Sequence, residues 1–98
     1  MVKHIVMWKI KNSEYKQDHL VKIKDALEGL KNKVSQILEL EVGLDFGQKA
    51  GVSADIVLIS LFASQEDLEL YQNHPEHKKA AEIIQLLTSE RRVVDYYL

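Results

Sequence analysis

Asp55-Ile56-Val57-Leu58-Ile59-Ser60-Leu61-Phe62-Ala63 decides the fold. Ile56, Leu58 and Phe62 face one way at the strand period of two, while Val57, Ile59 and Leu61 face the other. A strand that is apolar on both sides expects cover on both. It belongs in the middle of a sheet. Upstream, Val2 to Lys11 alternates in the same manner, with His4, Val6, Trp8 and Ile10 on one face and Ile5 and Met7 on the other. Between these two strands, Leu20, Ile23, Leu27, Leu30 and Val34 recur at spacings of three and four, the stripe of an amphipathic helix. Asn12 and Ser13 are its candidate caps. Leu38, Leu40, Val42, Leu44 and Phe46 then alternate with Glu39, Glu41, Gly43 and Asp45, so Gln36 to Phe46 reads as a strand with one polar face. Gly47 to Ser53, with two glycines, reads as a flexible hairpin loop.

Beyond the central strand, Ser64 with Asp67 three residues later resembles a capping box. A helix through Leu68, Leu70 and Tyr71 follows. A second helical segment carries Ala80, Ala81, Ile83, Ile84 and Leu87, and Arg91 to Leu98 closes the chain as a strand. The order is β-α-β-β-α-β with the second helix broken at Pro75. Right-handed crossovers turn that order into an α+β, ferredoxin-like fold: an antiparallel four-stranded sheet with its helices on one face and the first and third strands central. The other face exposes Ile5, Met7 and one row of the third strand. Apolar patches of this kind rarely face water, and a second copy is the simplest cover. Covering a few hundred Å² at ~25 cal/mol per Å² is worth roughly 10 kcal/mol before association costs. A homodimer through the sheet face is therefore expected.

Tyr71-Gln72-Asn73-His74-Pro75-Glu76-His77 is the chemically richest stretch. Tyrosine and histidine number four each in 98 residues, and three of them fall here. Pro75 fits the first turn of a helix, where a missing N–H costs nothing. His74 is then the cap, and His77 the third helical residue. The positive end of the helix macrodipole disfavours protonated His77, and a neutral imidazole serves as a general base. Glu76 opposes that effect. The plain alternative is a proline that starts a helix, flanked by solvated histidines.

Composition bounds the rest. The 98 residues make one domain spanning 1–98, and the absence of cysteine excludes disulfides and thiolate metal sites. Net charge is -2, and Lys78-Lys79 and Arg91-Arg92 are isolated pairs. A nucleic-acid partner would need a clustered basic face. No apolar run approaches the roughly 20 residues of a membrane span, so no membrane association and a cytoplasmic location are expected. Ser60 and Ser64 lack a Gly-rich elbow, and no Gly-x-Gly or P-loop pattern is present. Histidine-metal binding through His74, His77 and His4, with Glu76 or Asp55, lacks a convincing third ligand, and no metal is expected.

Val2-Lys3-His4-Ile5-Val6, Asp55-Ile56-Val57-Leu58, Phe62 with Ser64, the Tyr71–His77 run and the closing Val93-Val94-Asp95-Tyr96 resemble the stress-responsive dimeric α/β-barrel domain family. The resemblance covers essentially the whole chain, and its most specific elements are Val2-Lys3-His4 and the His-Pro-x-His step. It implies a homodimer whose sheets pack face to face as a dimeric α/β barrel. The family includes stress-induced proteins without clear catalysis and a plant polyketide cyclase that makes olivetolic acid. That cyclase performs an intramolecular aldol condensation with neither cofactor nor metal.

By the resemblance, His77 matches the base and Tyr71 the hydroxyl donor. His4 matches a pocket histidine, and His74 matches the His-Pro position, where capping is the expected role. The chain departs from the cyclase at Asp55, where a further pocket histidine stands, and near Ala26 or Leu27, where a pocket tyrosine stands. The site expected from all of this is His77 and Tyr71 as the reacting pair, with His4, Asp55 and Trp8 around a small apolar or phenolic ligand. Trp8 reads most simply as core. Whether the space between helices and sheet is open or filled by Trp8, Leu58, Phe62 and Tyr96 is left to the structure.

Overall fold

The computed structural model describes residues 1–98. Strand β1 (Val2–Ile10) leads into helix α1 (Lys16–Gly29) and a 3₁₀ turn (Leu30–Asn32). Strands β2 (Glu39–Leu44) and β3 (Ile56–Phe62) form a hairpin. Helices α2 (Gln65–Gln72) and α3 (Pro75–Leu87) and strand β4 (Thr88–Tyr97) complete the chain. The sheet order is β2-β3-β1-β4, with every neighbouring pair antiparallel. The two strands with apolar residues on both faces are indeed the central ones.

Register assigns each residue to a face. Val2, His4, Val6 and Trp8 stand opposite Phe62, Ser60, Leu58 and Ile56 on β3. All eight are buried, because α1, α2 and α3 cover this side. Ile23 and Leu27 of α1, Leu68 and Tyr71 of α2 and Ala80 and Ile84 of α3 supply the helical half of the core. Each large aliphatic side chain buried in this way contributes about 1.5–3 kcal/mol relative to exposure. The opposite face carries Ile5 and Met7 on β1, Val57, Ile59 and Leu61 on β3, and Val94 and Tyr96 on β4. No helix lies over it, and Met7 is 41% exposed.

Four boundaries differ from the sequence reading. Helix α1 starts at Lys16 with Tyr15 as its cap residue, and the Ser13 hydroxyl accepts instead from the Tyr15 N–H in the preceding turn. It stops at Gly29 and tightens into the 3₁₀ turn, so Val34 is buried from beyond the helix. Strand β2 ends at Leu44, and Phe46 is 98% exposed. The Asp45 carboxylate accepts from the Gln48 N–H at 2.7 Å and turns the chain away, with Gln48 and Gly51 at positive φ. Strand β4 begins at Thr88, directly after α3, where the Lys11 N–H bonds the Leu87 carbonyl.

Candidate functional site

The α2–α3 junction is built from local hydrogen bonds. Ser64 caps α2 by accepting from the Asp67 N–H at 3.1 Å, which fixes the helix that ends in Tyr71 and Gln72. Asn73 closes it, its backbone N–H and side-chain amide both reaching the Glu69 carbonyl. His74 is extended, and its Nδ1 accepts from the Glu76 N–H at 3.1 Å, so it caps α3 with Pro75 at the first helical position. His74 is thereby committed to structure. His77 follows one turn in and faces back toward α2.

His77 Nδ1 lies 3.1 Å from the Gln72 carbonyl oxygen. A carbonyl only accepts, so Nδ1 carries the proton and the lone pair of the neutral ring is on Nε2. The His77 ring meets Tyr71 edge-on, with centroids 4.5 Å apart. Tyr71 in turn packs against Phe62 at 5.1 Å and His4 at 6.2 Å. His4 is 2% exposed, and its Nδ1 is bonded to the Asp95 carboxylate, which stands directly opposite on β4. A carboxylate partner places a proton on His4 Nδ1 and leaves Nε2 without a protein partner.

These residues border a cavity of about 480 Å³ between sheet and helices. Its walls are mostly apolar, with Val6, Trp8, Leu58, Leu27 and Ile84 among them. The Tyr71 hydroxyl, His77 Nε2 and His4 Nε2 have no hydrogen-bond partner in the protein. None of them is sealed, since the one buried side-chain polar atom without a partner is His19 Nδ1. Three residues that each carry an unpartnered polar atom thus line one largely apolar cavity.

Burial sets the charge states. It pushes the Tyr71 phenol up to about 12 against a smaller opposing pull from Arg91, so the group stays a neutral donor well above neutral pH. Burial also lowers His77 below the ordinary 6.5, and the cationic forms of His4, Arg91 and His74 push the same way. The Gln72 carbonyl opposes them. The expected opposition from Glu76 is absent from these causes. Its carboxylate is turned to Lys79 at 3.4 Å and Lys33 at 3.8 Å.

Of the five residues expected at the site, four meet at the cavity: His77, Tyr71, His4 and Trp8. Asp55 does not. Its carboxylate accepts from the Ile10 N–H at 2.7 Å and pairs with Lys16 at 3.2 Å, tying the end of β1 to the start of α1. Tyr96 does not fill the space either, because it sits on the outer face opposite Lys3. Its neighbour Tyr97 stays exposed at the helix-side edge of the sheet, where it donates to Gln65 at 2.6 Å. Asp95 and Arg91 were missed as site residues. They share the helix-facing row of β4, a period-two pattern visible in the sequence, but only the pairing with β1 sets them beside His4 and Trp8. No three His, Asp or Glu side chains converge in a metal-binding arrangement.

Fold and site define a ferredoxin-like domain with an apolar, histidine-bearing cavity under its helices. The family described as the stress responsive A/B barrel domain matches residues 2–98, and the chain belongs to it. A dimeric protein of unknown function with a ferredoxin-like fold from Bacteroides fragilis is 36% identical. The match covers 99% of this chain and 95% of that one, with a TM-score of 0.86. A dimeric ferredoxin-like protein of unknown function from Thermobifida fusca is 25% identical over 99% and 90% of the two chains, also at 0.86. A hydroxynitrile lyase from Passiflora edulis matches at 22% identity over 99% and 92%, again at 0.86, a likeness of fold. No curated protein matches.

Proposed function

We propose that the chain works as a homodimer, joined through the outer face of its sheet. Each cavity binds a small, mostly apolar molecule bearing a carbonyl or phenol oxygen. The observation that carries this reading is the set of unpartnered polar atoms on an apolar wall. The Tyr71 hydroxyl can donate to a carbonyl or phenol oxygen, and a phenol O–H can in addition donate to the His77 Nε2 lone pair, so a ligand of this kind finds partners that the protein leaves open. The dimeric relatives and the uncovered face with Ile5, Met7, Ile59 and Val94 support the assembly.

A second reading, proton abstraction without cofactor, is favoured by the state of His77. Its Nδ1–H is held by Gln72 and its ring is kept neutral, which leaves Nε2 as a base facing the ligand. Nε2 would take a proton from the carbon beside a carbonyl, and the C–H electron pair would move into the enolate. Tyr71 would donate to the enolate oxygen. The enolate carbon could then attack a second carbonyl of the same molecule, and the His77 proton would pass to the new alkoxide. This is the aldol chemistry of a polyketide cyclase.

Trp8 is the one tryptophan and lines the cavity, so its fluorescence reports occupancy directly. Titration with 2-octanone should give a saturable change in Trp8 emission. Ala81→Phe, which places a ring in the cavity wall, should abolish it. A wild-type protein whose emission never saturates would count against the binding site.

A further inference from the structure

Arg91 and Arg92, adjacent in sequence, are separated by the pleat of β4. Arg92 stands opposite Met7 on the outer face, whereas Arg91 stands opposite Trp8 on the helix side. Arg91 lines the cavity. Dimerisation through the outer face would leave it free.

No carboxylate neutralises it. The ion pairs of the chain are His4–Asp95, Lys16–Asp55, Lys24–Glu28, Lys33–Glu76 and Lys79–Glu76. Asp95, in the same row of β4, is occupied by His4, and Glu90, opposite Lys9, belongs to the outer row. The guanidinium nevertheless acts on the cavity, since its charge partly opposes the upward push of burial on Tyr71 and adds to the lowering of His77. An open guanidinium fork therefore stands at the edge of an apolar chamber, beside the polar α3–β4 junction of Gln85, Thr88 and Ser89.

We infer that Arg91 makes the cavity a site for an apolar carboxylic acid, with the carboxylate held on the guanidinium and the hydrocarbon body lodged among Val6, Leu58 and Ile84. The planar fork of arginine matches one carboxylate with two parallel hydrogen bonds. A phosphate monoester fits less well, because no second lysine or arginine lines the cavity to match its second charge. This inference rests on the reading of the cavity as a ligand site and adds the class of ligand to it.

The test compares octanoate with octanamide, a neutral isostere, by Trp8 fluorescence at neutral pH. Octanoate should bind at least about tenfold tighter, as expected for a charge-assisted bidentate pair at a partly exposed site. The preference should shrink as salt is raised. Arg91→Gln should bring the ratio of the two affinities close to one, and Arg91→Lys should hold it in between, keeping the charge without the fork. Equal binding of the two probes by the wild type would overturn the role of Arg91 while leaving the cavity as a binding site. A preference that survives in Arg91→Gln would do the same. If octanoate, octanamide and 2-octanone all fail to bind, the cavity reading falls and this inference with it.

Discussion

Met7→Glu is expected to convert a dimer into a monomer, lowering the association constant at least about a thousandfold. Met7 lies at the centre of the uncovered face, between Val57 on β3 and Arg92 on β4, with Ile5, Ile59 and Val94 alongside. A two-fold interface is self-complementary, so one substitution buries two carboxylates. An uncompensated buried charge costs about 3–5 kcal/mol, and every 1.4 kcal/mol is a factor of ten. Two such charges would cost about 6–10 kcal/mol, and Arg92 offers each a partial partner, so a thousandfold loss, about 4 kcal/mol, is the smallest expected. Sedimentation velocity at micromolar concentration reads the result. A variant with the wild-type oligomeric state would place the interface elsewhere, and a monomeric wild type would remove the barrel altogether.

His77→Gln should remove proton abstraction, by about 10²–10⁴-fold, the usual worth of a positioned general base. Tyr71→Phe should cost on the order of 10²–10³-fold, as loss of one oxyanion donor does. Deuterium incorporation beside the carbonyl of 2-octanone in heavy water, followed by NMR, measures this step with no knowledge of the natural ligand. The double variant should be scarcely slower than His77→Gln, because groups acting in one step fail together. Stability should change by less than about 1 kcal/mol in Tyr71→Phe, whose lost hydroxyl leaves no protein group unpaired. Exchange that is no faster with wild type than with His77→Gln would restrict the cavity to binding. Unfolding of both variants, with no ligand found for the wild type, would make the pair structural.

The parts of the fold that were legible in the sequence are those in which one face or both faces repeat. β1 and β3 could be placed because alternation over seven or more residues has few other readings. The α2–α3 step could be placed because Ser64, His74 and Pro75 each have a local reason to stand at a helix start. Boundaries set by tertiary contacts were not legible. The alternation of β2 runs on to Phe46, but hydrogen bonding of Asp45 to Gln48 ends the strand first. The start of β4 at Thr88 depends on pairing with β1, across a register shift between Lys9 and Ile10.

The site divides along the same line. His77 and Tyr71 are six residues apart across the α2–α3 break, so the local turn through His74 and Pro75 brings them together. His4, more than sixty residues away, could be placed only through the family resemblance. Asp55 occupies the position where the cyclase has a pocket histidine, yet a carboxylate there finds Lys16 and the Ile10 N–H within reach and turns from the cavity. Asp95 is 91 residues from His4, and no local pattern connects them.

The central claim, a neutral His77 whose Nε2 faces a ligand, is tested most directly by NMR of its imidazole during titration with acid and with 2-octanone. The ring should be the Nδ1–H tautomer at neutral pH, and its midpoint should lie below 6.5. Because the folded midpoint is depressed, the unfolded chain binds the proton first, so His77 lowers stability as pH falls through 6.5 and ceases to do so below the folded midpoint. Adding 2-octanone should shift the His77 ring signals and lower the midpoint further, since a ligand that fills the cavity removes water from Nε2. A midpoint at or above 6.5, or ring signals that ignore the ketone at saturating concentration, would contradict the account.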